Sequence, residues 1–577
     1  MAGRTVVNNV DRMVHGWQGK LTSGQSPTTL ALAYLDWLVH LANSPGKQVE
    51  LADKATRKTL RLLAYAAQRT VDRSTEPCIE PLPGDHRFDH PSWQTWPYAV
   101  NYQAFLLLQQ WWHNATTGVE GVTPHHEAAT AFGARQILDV FAPSNIPWAN
   151  PEVIQATARE NGANLLRGSV NLVQDWVRSV NQKPPVGAEA YPVGKSVAVT
   201  PGKVVYRNRL IELIQYSPAT ETVYAEPILI VPAWIMKYYI LDLSPDNSLI
   251  RYLVGQGHTV FVMSWHNPTA ADRDLGMEDY RLLGVDAAVN AVRMIVPERK
   301  IHAVGYCLGG TLLTIEAAVL ARQKDADPLA TITLLAAQTD FTEPGELNLF
   351  IDEDEVSFLE DFMWDQGYLD GHQMAGAFQM LRSNDLVWSR MVRQYLLGER
   401  ESMTDLMAWN ADTTRLPFRM HSEYLRGLFL HNDLAQGRLL AGGLPVALSD
   451  IRARIFAVGT ARDHVAPWHS VYKLHMLADT ELTFLLASGG HNAGIVSPPG
   501  PPGRRSYQLA THTEGDRYVD ADVWQRSTPV CPGSWWPAWQ EWLARGSGDR
   551  VPPPPMGAPD AGLPVLGDAP GTYVLEP

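Results

Sequence analysis

The stretch Ile301–Ala321, IHAVGYCLGGTLLTIEAAVLA, sets one cysteine between two glycines where a strand-like run passes into a helix-like run. Gly305, Cys307 and Gly309 form a G-x-C-x-G pattern, the strand-turn-helix signature of a nucleophile elbow with cysteine in place of the usual serine. The glycines have a steric reason. The nucleophile occupies a strained turn, and side chains two positions to either side would collide with neighbouring backbone. A helix beginning near Cys307 also points its positive dipole end at the sulfur, which favours thiolate over thiol. A small buried hydrophobe in a tight turn is the plainer reading of a lone cysteine. It leaves the coincidence of strand, both glycines and helix unexplained.

An elbow of this kind requires two further residues in fixed chain order, an acid after a later strand and a histidine after the last. RIFAVGTARDHVAPW (454–468) supplies Asp463 after a strand-like run, and LTFLLASGGHNAG (482–494) supplies His491 in a glycine-rich turn after the next. The order Cys307, Asp463, His491 is that of an α/β-hydrolase triad, in which the histidine takes the proton and the carboxylate holds its tautomer and stabilises imidazolium. Asp340, near the end of another strand-like run, competes as the acid, and Asp463 then becomes a turn or capping residue. His464, next in the chain, is either a site neighbour or a structural histidine. The oxyanion hole is expected from the backbone N–H of Leu308 and one from the loop after ILIVP, near Ala233 or Trp234. Neither a metal nor a cofactor is called for: His258, His266 and His421 show no metal-ligand spacing.

Outward from this motif, LIELIQY, PILIVPAWI, HTVFVMSW, KIHAVGYC, ATITLLAAQTDF, ARIFAVGTARDH and LTFLLASGGH alternate with helical segments. That texture predicts a mostly parallel sheet covered on both faces. A helical stretch rich in Trp, Met and acidic residues, about Thr342 to Ala447, interrupts the run of strands and is expected to form a lid. Residues 27–180 instead carry apolar residues at helical spacing, and the segment Val180–Gly194 breaks that pattern. The expected division is an N-terminal helical region, 1–180, and an α/β-hydrolase-type domain, 181–577, with its lid at about 342–447. SPPGPPGRR (497–505) reads as a loop and VPPPPMGAPDAGLP (551–564) as an extended tail, both outside the core. The apolar stretch Ala99–Ala115 reads as helical core in preference to a polymer-contacting surface.

With 577 residues, 45% of them hydrophobic, the chain has ample material for large cores. Three scattered cysteines without a CxxC pair point to reduced thiols and a cytoplasmic protein. The opening residues lack a signal-peptide core, and no apolar run is long enough to span a membrane. A net charge of −14 without a basic block argues against nucleic-acid binding.

With these residues in place, the chain resembles the polyhydroxyalkanoate synthases, specifically the single-subunit kind that polymerises short-chain hydroxyacyl-CoA. The resemblance runs through DHRFDHPSWQTWPY, PSNIPWANPEVI, ENGANLLRGSVNLVQD, VPAWIMKYYILDLSPDNSLIRYLVGQGHTVFVMSWHNP, GYCLGG, LRSNDLVW, DHVAPWHSVYK, GHNAGIVSPP and GSWWPAWQEWL. About the first fifty residues resemble an additional segment found in a subset of that family. The resemblance implies Cys307 as nucleophile, Asp463 as acid, His491 as base, and His464 as the histidine that follows the acid. It further implies a growing polyester chain as partner, a homodimer, and location in the cytoplasm at the granule surface. A hydrolase on the same scaffold, or a granule-binding protein without activity, are the rival readings, since a triad alone does not choose the acceptor.

Overall fold

In the computed structural model the described residues are 12, 14–16, 18–19, 22, 24–322, 327–371, 373–374, 376, 380, 383–501, 503 and 505–577. Residues 1–11 of the expected N-terminal segment, and Pro502 and Arg504 of SPPGPPGRR, therefore lie outside them. The chain divides into two compact units. One comprises Met1–Gly16, Gly187–Ala375 and Met403–Pro577, and the other Trp17–Val186 and Gly376–Ser402.

All seven apolar runs of the first unit become strands of one sheet. In chain order its strands are β1 (Gly202–Arg207), β2 (Ile211–Tyr216), β3 (Ile228–Val231), β4 (Val260–Trp265), β5 (Ile301–Tyr306), β6 (Leu329–Leu335), β7 (Arg454–Thr460), β8 (Leu482–Ala487), β9 (Ser506–His512), β10 (Val530–Pro532) and β11 (Gly567–Asp568). Across the sheet they lie in the order β10-β9-β8-β7-β6-β5-β3-β4-β2-β1-β11. The block from β8 to β4 is parallel. Both flanks are antiparallel. Strands β3, β4, β5 and β8 are buried along their whole length. This is why they read as continuous apolar runs and not as alternating ones.

The lid segment leaves the sheet after β6 and returns at β7, as an α/β-hydrolase fold with a helical insertion requires. Its part in this unit includes the helices Glu353–Gln366, Asp405–Asn410 and Phe418–Tyr424. The tail is extended but not outside the core, which corrects the sequence expectation. Leu563 and Val574 are buried, and β11 pairs with β1. The cause lies on β2, where two polar side chains face inward. Gln215 exchanges hydrogen bonds with Pro555 O (2.9 Å) and Gly557 N (2.8 Å). The Glu212 carboxylate accepts from Thr572 N, Thr572 Oγ1 and Tyr573 N at 2.8–2.9 Å.

The second unit contains α1 (Pro27–Ala42), α2 (Pro45–Val71), α3 (Tyr98–Thr116), α4 (Pro124–Val140), α5 (Pro151–Arg159) and α6 (Ala163–Val180). Caps start several of them: Ser26 accepts from Thr28 and Thr29 N–H, and Asn150 from Glu152 and Val153 N–H. The run NPEVIQATARENGANLLRGSV, continuous by periodicity, is broken between α5 and α6. Asn161 (φ 50°) and Gly162 (φ 84°) turn left-handed there. The stretch Ala99–Ala115 lies in α3 and is packed as core, with Tyr102, Phe105 and Leu106 buried against Phe88 and Trp93. Met391–Leu396, in the segment expected as lid, pack on α6. Gly168 lies so close to the Tyr395 backbone that a Cβ would sit 1.9 Å from its carbonyl oxygen. Among the described residues no helix is long and apolar enough to cross a membrane.

Candidate active site

Strand β5 ends at Tyr306 and a helix, α7 (Leu308–Ala321), begins two residues later, so Cys307 alone makes the turn. Its φ of 52° and ψ of −126° are costly for a residue with a side chain, on the order of 1–3 kcal/mol. Hydrogen bonds on both sides hold it there. Cys307 N–H donates to Leu335 O on β6 (2.8 Å), and its carbonyl accepts from Gly310 N (2.9 Å) and Thr311 N (3.2 Å). The flanking glycines are sterically required. A Cβ on Gly305 would lie 2.3 Å from Gly310 Cα, and one on Gly309 would lie 2.3 Å from Val231 O and 2.4 Å from Pro232 O.

Asp463 occupies the turn after β7, and His491 opens the short helix α8 (His491–Ile495) after β8. The Nδ1–H of His491 donates to Asp463 Oδ2 at 2.8 Å. Cys307 acts electrostatically on the same ring, as one of the groups that raise the His491 pKa. Asp463 is anchored by more than the histidine. Thr460 Oγ1 donates to its Oδ2 (2.7 Å), and Val465 and Ala466 N–H donate to its Oδ1 (2.9 Å each). Its side chain is fully shielded from solvent. Burial alone would raise the Asp463 pKa, but the His491 charge and these hydrogen bonds outweigh it and hold the carboxyl below its usual range. Burial likewise works against charging His491, yet Asp463 first and then Cys307 raise its pKa well above the ordinary imidazole value.

Asp340 turns elsewhere. Its Oδ1 accepts from Thr342 N (2.8 Å) and Asn432 Nδ2 (3.4 Å), with Lys473 Nζ at 4.0 Å. It is therefore Asp463 that meets His491. His464 stands beside that aspartate, and its carbonyl accepts from Glu346 N–H (3.3 Å). Leu308 N–H is the first of α7 and has no carbonyl one turn back to bond. The loop after β3 closes on the same corner, with the carbonyls of Val231 and Pro232 against Gly309. Trp234 in that loop is buried and meets the Tyr424 ring edge-on, with centroids 6.0 Å apart.

Three neighbours escape a reading by motif. The Tyr306 hydroxyl donates to Asn492 Oδ1 (2.6 Å), and its ring centroid is 5.8 Å from that of His491. Tyr424, from the lid, has its phenol pKa pushed up by burial and then by Cys307. Tyr306 and Asn492 adjoin motif residues and were legible in principle. Tyr424 reaches the site only through the fold of the lid.

Comparison with known proteins agrees with this architecture. The model for the alpha/beta hydrolase fold matches residues 226–498, that for the poly-beta-hydroxybutyrate polymerase (PhaC) N-terminus residues 84–253, and that for the poly-beta-hydroxybutyrate polymerase N terminal residues 5–47. A poly(3-hydroxyalkanoate) polymerase of Methylorubrum extorquens is 39% identical, over 96% of this chain and 91% of its own. A poly(3-hydroxyalkanoate) polymerase subunit PhaC of Cupriavidus necator is 33% identical, over 97% and 93%. The chain belongs to the poly(3-hydroxyalkanoate) polymerase family. Like other polymerases of this family it is an acyltransferase.

Two outcomes follow for this polymerase-family site. Gly309→Ala is expected to destabilise the fold by about 1–3 kcal/mol, because the new methyl meets backbone that cannot yield, and to cut acyl transfer at least tenfold. Gly46→Ala, in α2 with nothing within 4 Å, is the control: it should not destabilise the fold and should leave acyl transfer unchanged. Thermal melts and polymer yield check the pair.

The second concerns pH. The depressed Asp463 pKa contributes stability that is present above the ordinary value of about 4 and is lost as pH falls through the folded one. The raised His491 pKa contributes stability that is present below about 6.5 and is lost only as pH rises through its higher folded value. Wild type should therefore melt above Asp463→Asn from about pH 5 to 7, with the gap shrinking as pH is lowered toward 3.

Proposed function

We propose that this chain polymerises (R)-3-hydroxyacyl-CoA, with 3-hydroxybutyryl-CoA as its substrate, through an acyl group carried on Cys307. The observation that carries this reading is the His491 ring, which donates to the shielded carboxylate of Asp463 and has its pKa raised by that carboxylate and by a cysteine set on a strained turn. His491 holds the thiol proton, and the Cys307 sulfur attacks the thioester carbonyl. The negative charge that develops on the carbonyl oxygen falls to the N–H of Leu308 and of Ala233 or Trp234. CoA departs as its thiol, taking the proton back from His491, and leaves the acyl group as a thioester on Cys307. The 3-hydroxyl of a second unit or chain end then gives its proton to His491 and attacks that thioester. An ester forms and the cysteine is released. His464 is read as a neighbour that packs beside this machinery.

Thioester exchange is nearly balanced, so the acyl group stays reactive, and polymer forms only if water loses to the alcohol. A dry, ordered site supports that. The lid contributes buried Phe362, Trp409, Leu425 and Phe429. We read the chain further as a cytoplasmic homodimer working at the surface of its own insoluble product. Support for an apolar contact is the outer face of α6, where Leu166, Val170, Val173, Val177 and Val180 are 44–69% exposed. Changing Leu166, Val173 and Val180 to Glu should reduce the fraction of protein that sediments with polymer while leaving initial CoA release intact. Unchanged sedimentation would remove α6 from that role.

Asp463→Asn separates the two half-reactions. An alcohol is a far weaker acid than a thiol, water itself ionising only near ~15.7, so elongation leans harder on a charged His491 than acylation does. Asparagine still hydrogen-bonds the ring but does not stabilise imidazolium. The expected result is a burst of about one CoA per site followed by elongation slowed by orders of magnitude, as roughly 10⁴-fold losses at other triads indicate. Cys307→Ala should give no burst at all. Rapid-quench assay of CoA against chain length decides it, and equal slowing of both phases would contradict the division of labour.

A further inference from the structure

The loop that follows β3, residues 232–237, is gripped from three directions. From β4, the Trp265 indole N–H donates to Pro232 O (2.9 Å). From the lid, Thr414 Oγ1 donates to Trp234 O (3.1 Å), Met236 forms an antiparallel bridge with Thr413, and the Trp409 indole N–H donates to Lys237 O (2.8 Å). The third hold is Lys237 itself, 8% exposed. Its Nζ lies 2.8 Å from Val574 O, 2.7 Å from Glu576 O and 2.9 Å from Asp412 Oδ1. An ammonium has three N–H donors, and here each has an acceptor. Asn267 closes the same knot. Its N–H donates to Glu576 Oε2 (2.7 Å), its Nδ2 to Pro577 O (2.6 Å), and its Oδ1 accepts from Arg415 N (2.8 Å).

A buried charge is a poor means of adding stability, since desolvation offsets most of its attraction and a hydrophobic residue of similar volume often does as well. What Lys237 does that an apolar residue would not is fix direction. It ties one loop to two main-chain carbonyls and one carboxylate at once. The loop so tied holds Ala233 and Trp234, and its first carbonyls touch Gly309 beside the elbow.

We propose that Lys237 is a positioning residue for acyl transfer: with residues 574–577 and Asp412 it locks the loop after β3 so that the Ala233 or Trp234 N–H meets the carbonyl oxygen of the acyl group on Cys307. This rests on the reading of Cys307 as acyl carrier. Lys237 acts through the loop and touches no reacting atom. Its loss should therefore lower kcat without weakening substrate binding or altering the reactivity of the cysteine.

The test compares Lys237→Met, Lys237→Arg and wild type, full-length, in CoA release from 3-hydroxybutyryl-CoA and in alkylation of Cys307 by iodoacetamide. Lys237→Met should lose about 10- to 1,000-fold in kcat, the scale of a displaced oxyanion donor, with KM and the alkylation rate within about twofold of wild type. Lys237→Arg, which keeps a cation, should recover a large part of the loss. Removing residues 574–577 should reproduce the kcat defect, and combining it with Lys237→Met should add little, because both break one knot. A kcat for Lys237→Met within twofold of wild type overturns the proposal, and so does a parallel fall in kcat and alkylation, which marks general loosening of the site. Should Lys237→Met not fold, Asp412→Ala removes one of the three acceptors and bears the same predictions. Cys307→Ala, run alongside, tests the acyl-carrier reading alone: retained CoA release there would sink that reading whatever Lys237 does.

Discussion

One residue has to turn a buried strand into a buried helix, and most of the architecture around the site is arranged to let it. Cys307 adopts a left-handed backbone conformation between β5 and α7. The conformation persists because β6 supplies an acceptor for its N–H, the first turn of α7 supplies donors for its carbonyl, and Gly305 and Gly309 leave no atoms in the way. The turn projects a sulfur from the carboxyl end of a strand near the centre of a parallel sheet. Ligands and reacting groups of open α/β sheets gather at those strand ends, where loops meet over a rigid scaffold.

The rest of the site follows from having parallel neighbours. β7 and β8 end at the same edge as β5, so the turns that leave them deliver Asp463 and His491 to the sulfur. Asp463 is held by four hydrogen bonds, from Thr460, Val465, Ala466 and His491, and has little freedom to rotate away. His491 is steadied from behind. The indole N–H groups of Trp535 and Trp536 donate to the carbonyls of Gly494 and Ile495, the last turn of its helix. The proton-handling pair proposed here is thus built into backbone on both sides and does not depend on loop order.

What could be read from the amino-acid order and what could not divides along sequence distance. The elbow is a local motif, so Cys307, its glycines and the flanking elements were legible. Continuous burial made the strands stand out as apolar runs. Asp463 and His491 were legible because chain order and strand ends constrain where they must fall. Asp340 lies at an equivalent strand end, and only tertiary packing turns it toward Asn432 and away from His491. Tyr424 and the Lys237 knot depend on contacts between distant segments that carry no local pattern. The tail reads as peripheral from sequence because Pro-rich composition reports the absence of helix, not exposure. The signal lay instead in Glu212 and Gln215, two polar residues inside an otherwise apolar strand, whose burial demands partners. The break between α5 and α6 had a signal too, in the Asn161–Gly162 pair, which apolar periodicity overrode.

The central claim is that the polymer grows from Cys307, and peptide-level mass spectrometry of acid-quenched enzyme measures it most directly. After incubation with 3-hydroxybutyryl-CoA for less than one turnover, the peptide containing Cys307 should carry the mass of a hydroxybutyryl group, and longer incubation should add further units to the same peptide. Label on Cys78 or Cys531, or release of CoA with Cys307 unmodified at every time, would contradict the account.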